Sequence, residues 1–242
     1  MFKKNIAITS MIFAMHFALE GAVQAQGDYV VLMHGMHRTR ISMKRLEWQL
    51  KAAGYEVINQ TYPSRRKSVE YIANNHLKRL IEKHVTDPER RVHFVTHSLG
   101  GIVVRQFFAD NALPNAGRVV MLAPPNQGSE LVDLFRKIPF YKYVMGPSAM
   151  QLGTSSEDLP NQLGPVNVEV GVIAGNRSLN PLYSGIIDGP DDGKVSVERT
   201  QVEGMKAFIT TPTSHTWLMN RRSVIAQIKH FIETGEFTPG NS

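Results

Sequence analysis

The sequence predicts an α/β fold, a mostly parallel sheet flanked by helices on both faces with a small cap region. Three observations predict it. Short apolar runs of the kind that make buried strands recur along the chain. Amphipathic helical patterns fill the intervals between them. Every residue suited to chemistry follows one of the apolar runs, which is where ligands bind in open parallel sheets.

The elements follow in order. "DYVVLMHG" is a short apolar run ending at glycine, as a buried parallel strand should. Met43, Leu46, Leu50 and Ala53 then share one helical face, and Gly54 is a natural stop. "YEVINQTY" is a second strand that ends near Pro63. Ser68 caps a helix whose apolar face is Val69, Ile72, Ala73, Leu77, Leu80 and Ile81. "RRVHFVTH" is the third strand and "IVVRQFFAD" the third helix. "GRVVMLAPP", "NVEVGVIAG" and "MKAFITTP" are strands four, five and six. Asn220 is expected to cap a last helix that turns Val224, Ile225, Ile228, Phe231 and Ile232 inward, with Gly235 closing it. Residues 123–167 break the rhythm. They are long for one connection and hold "SELVDLFRKIPFYKYVM" followed by loop.

The start of the chain reads differently. Lys3 and Lys4 precede the apolar "IAITSMIFAMHFAL", and "VQA" sets compact residues before a cut. Residues 1–25 are therefore expected to be a signal peptide, cleaved between Ala25 and Gln26, and 26–242 a single exported domain, periplasmic or secreted. The 242-residue chain has no cysteine, which excludes a disulfide framework and thiolate chemistry. Its net charge of +6 is mild and spread out, and no nucleic-acid-binding module is present.

Ser98 stands at an abrupt join between the third strand and the third helix, in "RVHFVTHSLGGIVVRQF". A serine on so sharp a turn exposes its oxygen, and the Leu99 backbone N–H at the helix start can hold an oxyanion. Gly100 and Gly101 let the helix pass close to the strand. The usual pattern is G-x-S-x-G, and here Thr96 replaces the first glycine. Its small branched side chain suits the strand end if the facing helix also yields. "VVLMHGMHRTR" puts Gly35 and Met36 just past the first strand, so the Met36 N–H is a second candidate oxyanion donor. His34 reads better as a residue that holds this turn than as the base, which should come late in the chain.

A serine nucleophile needs a base, and the base needs a carboxylate to orient it. "GPDDGKVSVERT" follows the fifth strand and "TTPTSHTWLMN" the sixth. His215 is the candidate base and Asp192 the candidate orienter, with Asp191 and Asp188 in competition. His97, beside the serine, reads as a supporting residue.

"HGM", "THSLGG", "LAPPNQGSE", "DDGKVS" and "SHT" occur in this order over almost all of residues 26–242. The chain thereby resembles the α/β-hydrolase superfamily, and most closely its compact bacterial lipase- and esterase-like members. The resemblance implies Ser98 as nucleophile, His215 as base, Asp192 as orienter, and Met36 and Leu99 as backbone oxyanion donors. It implies no metal and no organic cofactor. Two departures stand out: Thr96, and the His37-Arg38 pair after "HGM", which alters the shape and charge of the pocket mouth.

The expected function is hydrolysis of carboxylic esters through an acyl-enzyme, acting on a small-molecule or lipid ester. Transfer of the acyl group to another acceptor, and binding without turnover, are the alternatives. Leu131, Leu134, Phe135, Ile138, Phe140, Tyr141, Tyr143, Val144 and Met145 either line an acyl pocket as a cap or form an ordinary covering helix. Arg38, Arg40, Arg65 and Arg66 lie on the same expected rim. They read first as solvated surface, and second as a site for a substrate phosphate or carboxylate. Both features are consistent with peripheral contact with a lipid surface.

Overall fold

All six strands run parallel, so each connection between sheet neighbours has to cross a face of the sheet. The structure is a computed structural model and describes residues 27–239. The expected signal peptide lies outside the described residues. β1 (Tyr29–Met33), β2 (Glu56–Asn59), β3 (Val92–His97), β4 (Ala116–Leu122), β5 (Val170–Gly175) and β6 (Ala207–Thr211) are arranged β2-β1-β3-β4-β5-β6. All six lie on the predicted runs. β1, β3 and β5 are buried from end to end; β1 and β5 are accordingly runs of apolar and small residues, whereas β3 also buries His93, Thr96 and His97. β6 forms one edge and stays largely half-exposed.

Successive residues of β1 feed opposite faces of the sheet. Tyr29, Val31 and Met33 join a core with Ile72, Leu77, Ile102 and Phe107. Val30 and Leu32 join another with Met43, Leu46, Leu50, Ile225 and Ile228. The first face is covered by α2 and α3, and the second by α1 and α9. Here α1 is Lys44–Ala52, α3 is Leu99–Asp110 and α9 is Arg222–Thr234. α2 comprises Val69–Tyr71, a π-helical stretch Ile72–Leu77 and Lys78–His84. Its predicted apolar face is buried, and the Ser68 hydroxyl accepts from the Tyr71 N–H as a cap. The wider π pitch leaves no mark in the hydrophobic spacing.

The start of α9 corrects the expectation for Asn220. That residue ends a 3-10 turn, Leu218–Asn220, and extended Arg221 takes the cap position without a side-chain bond. The chain is already turning before Asn220, because its N–H donates to the Trp217 carbonyl. Gly235 ends the helix as expected, at φ 81° with its N–H on the Phe231 carbonyl.

Residues 123–167 are neither one covering helix nor a loop after a single helix. They hold α4 (Glu130–Phe135), α5 (Tyr141–Met145), α6 (Pro147–Met150) and α7 (Leu159–Gln162). Phe140 interrupts the segment in the left-handed region at φ 67°. This cap is knitted by Arg136, which pairs with Asp133 at 2.9 Å and Asp158 at 3.0 Å. α8 (Pro181–Ser184) follows β5. Among the described residues no helix is long and apolar enough to cross a membrane.

Candidate active site

The parallel register brings the ends of β1 and β3 side by side, with Met33 opposite Thr96. The loop Gly35–Met36 and the turn at Ser98 therefore leave the sheet together. Ser98 has φ 53° and ψ −122°, a conformation that costs an L-residue energy and that the flanking strand and helix impose. Its N–H donates to the Leu122 carbonyl at 2.9 Å, which ties the turn to β4. α3 crosses so close that a Cβ on Gly100 would strike the Met33 carbonyl. A Cβ on Gly101 would sit 2.9 Å from Pro124 Cβ and 3.4 Å from Thr96 Oγ1. Thr96 thus lies at ordinary contact distance from the bare position of Gly101, and it is Pro124 that leaves no room for a side chain there.

His215 lies in the loop after β6 and Asp192 in the turn after β5. His215 Nδ1 is 2.7 Å from Asp192 Oδ2 in a buried pair. Since the carboxylate can only accept, Nδ1 carries the proton and Nε2 is left with its lone pair. Asp192 is fixed by accepting at Oδ1 from the backbone N–H groups of Lys194 (3.0 Å) and Val195 (2.9 Å). Its own carbonyl accepts from the His215 N–H at 2.9 Å. The neighbouring Asp191 is turned elsewhere, accepting from Ser184 Oγ and the Gly193 N–H. Of the competing carboxylates, only Asp192 touches the His215 ring.

Ser98 and His215 open onto one cavity of about 570 Å³, together with Gly35 and Met36. The N–H groups of Met36 and Leu99 have no acceptor among the described residues. Leu99 opens α3, so the positive end of that helix adds to its N–H. From the cap, Leu131, Val132, Phe135, Tyr141 and Met145 line the cavity. On the outer side of the same segment Phe140 and Tyr143 are 75% and 81% exposed, so the cap is not a simple core helix. Arg38 reaches the cavity wall, whereas Arg40, Arg65 and Arg66 do not line it.

His34 and His97 buttress the loops that carry these residues. His34 Nδ1 donates to the Gly35 carbonyl at 2.8 Å, and Nε2 accepts from the Tyr62 N–H at 3.3 Å. Its ring stacks on Tyr62 at 4.0 Å, and the Tyr62 hydroxyl donates to the His34 carbonyl. Burial pulls its pKa down to about 4, so the ring is neutral and holds the turn. His97 donates from Nε2 to the His215 carbonyl at 2.9 Å. Burial, then the nearby His215, holds its pKa well below the ordinary histidine value. A Cβ on Gly35 would come within 2.7 Å of His97 Nδ1, so only glycine lets the β1 loop pass this ring.

Sequence reasoning missed three contributors. Lys194 lines the cavity, and Ser129 Oγ donates to the Lys194 carbonyl at 2.8 Å, joining the cap to the acid turn. Tyr183, in α8, lines it too. For Lys194 the signal was its place two residues after Asp192. For the other two there was none, because loop packing decides them.

Solved structures of similar shape exist. A Bacillus licheniformis lipase in mature form superposes with a TM-score of 0.66 at 17% identity, over 86% of this chain and 91% of that one. A metagenomic carboxyl esterase gives 0.63 at 18%, over 78% and 64%. The phospholipase PlaB from Legionella pneumophila gives 0.61 at 20%, over 83% and 55%. At such identities the likeness is one of fold. No curated protein sequence matches the chain. The sequence pattern of the alpha/beta hydrolase family matches residues 30–224, which takes in the Gly35–Met36 loop, the Ser98 turn, the Asp192 turn and the His215 loop. With that span matched and the parallel sheet to go with it, the chain belongs to the alpha/beta hydrolase family.

Proposed function

We propose that the protein is an exported serine hydrolase that cleaves carboxylic esters of small-molecule or lipid type. The observation that carries this reading is the Asp192–His215 pair, which leaves Nε2 free at a cavity shared with Ser98. His215 Nε2 takes the Ser98 proton as Oγ attacks the ester carbonyl. The oxyanion accepts from the N–H groups of Met36 and Leu99. The alcohol leaves with the proton from His215, and water then releases the acid from the acyl-enzyme by the same route. The mechanism calls on no metal or organic cofactor. The names of the similar lipase, phospholipase and esterase structures support an ester substrate.

One experiment tests it. The protein expressed from the full chain is labelled with a fluorophosphonate and assayed by p-nitrophenol release from short and long acyl esters. Labelling should be lost in Ser98→Ala, and turnover should fall roughly 10⁴-fold in Asp192→Asn. The labelled species, recovered from outside the cytoplasm, should begin at Gln26. A folded protein with neither labelling nor turnover would refute the mechanism.

A further inference from the structure

Resting on the ester-hydrolase reading, we propose that the preferred substrate is an acyl ester with a phosphate group on its alcohol half, and that Arg38 and Lys194 bind the phosphate. The cavity joins two chemistries. The cap gives it an apolar wall, with Leu131, Phe135 and Met145 as examples, while Arg38 and Lys194 reach it from the loops after β1 and β5. Among the described residues no aspartate or glutamate lines the cavity. Neither cation has an ion-pair partner among the described residues.

The two cations also act on each other. Desolvation, and next the Arg38 charge, pull the Lys194 ammonium below its ordinary pKa against a smaller upward pull from Asp192. Both cations disfavour a charge on His97. Both side chains are solvent-exposed on the wall of one cavity, and two like charges there without a paired carboxylate favour a bound anion. A guanidinium offers a planar fork to phosphate oxygens, and an ammonium adds a compact charge. Arg38 and Lys194 line the same cavity as Ser98 and His215, so on this proposal the anion they hold belongs to the same molecule as the reacting ester. The acyl half takes the apolar cap, which leaves the phosphate to the alcohol half. In the reaction the Ser98 Oγ–acyl bond forms and the bond from acyl carbon to alcohol oxygen breaks. His215 returns its proton to that oxygen, and the phosphate leaves unchanged on the alcohol.

The test compares dihexanoyl phosphatidate with dihexanoylglycerol, both kept monomeric so that no lipid surface contributes. The expected kcat/KM ratio favours the phosphate ester by about tenfold at low salt and shrinks as salt rises. Arg38→Gln and Lys194→Gln should each reduce that ratio severalfold, with Lys194→Met as a second variant should Lys194→Gln fold poorly. Arg45→Gln, which removes a cation from a separate surface cleft, should leave the ratio intact. A ratio near one with good turnover of the neutral ester overturns the phosphate proposal and leaves the hydrolase standing. An equal drop in Arg45→Gln overturns it in favour of general surface charge. Inhibition by inorganic phosphate without ester preference overturns it in favour of a free-anion site. Absence of turnover with both esters, together with absence of fluorophosphonate labelling, overturns both readings.

Discussion

Thr96 and Pro124 both pack against the bare position of Gly101 behind the serine turn, and Pro124 is the closer of the two. Thr96 is fully buried, and its hydroxyl has no partner among the described residues. Replacing it with the isosteric valine removes an unsatisfied polar group without opening a cavity, so Thr96→Val should be neutral or stabilising by up to about 1 kcal/mol. Gly101→Ala forces a Cβ to within 2.9 Å of Pro124 Cβ and should cost about 1–3 kcal/mol. Urea unfolding of both variants checks the pair, and a Gly101→Ala chain as stable as the parent would refute the packing argument. At this scale much was legible. The serine, the histidine and the carboxylate follow from chain order and from a position after a strand. Register favours Asp192 over Asp191 in the sequence but leaves a shift of one position open, because the choice depends on which carboxylate the Gly193 turn aims inward. The role of Gly101 was readable only as a condition on the facing helix.

The cap is the element whose two faces do different work. Leu131, Phe135 and Tyr141 face the cavity, and Phe140 and Tyr143 face outward. Removing inward bulk lengthens the space for an acyl chain. Phe135→Ala should therefore move the optimum among p-nitrophenyl esters toward longer chains, by several-fold in relative kcat/KM, while Tyr143→Ser leaves the profile as it was. The same profile for Phe135→Ala and the parent would remove the cap from the acyl pocket. The apolar content of this segment was plain in the sequence, but its division into four short helices was not. No single periodicity spans it, and the left-handed Phe140 and the Arg136 cluster are set by tertiary contacts. Asn220 failed as a cap for a related reason: the 3-10 turn before it had already used its backbone.

Across the whole molecule, burial keeps a group of histidines neutral. His34 is pulled to about 4, His76 and His93 are lowered, and His97 is held well below the ordinary 6.5. Below pH 6.5 the unfolded chain protonates these rings more fully than the folded chain does. Their contribution to stability is complete above that pH and is lost as pH falls through each ring's lowered folded value, which for His34 is about 4. Each proton taken up on unfolding adds a slope of about 1.4 kcal/mol per pH unit. Urea midpoints should drop clearly between pH 7 and pH 5, and equal midpoints would contradict the neutral assignment. The parallel architecture itself was legible, because continuous apolar runs separated by amphipathic helices admit few other arrangements. The strand order was not, since it depends on which side of β1 each crossover returns.

That order has a consequence in time. From β3 onward each strand joins the same growing edge in the sequence in which the chain is made. A chain stopped before Thr213 already has the β1 and β3 turns that would position Ser98, but it lacks the imidazole that would activate it. Assembly and chemical competence are thereby separated. On the proposed mechanism the proton acceptor would follow the last strand of the sheet along the chain, so a half-made molecule would be inert toward the esters the whole one is proposed to cleave.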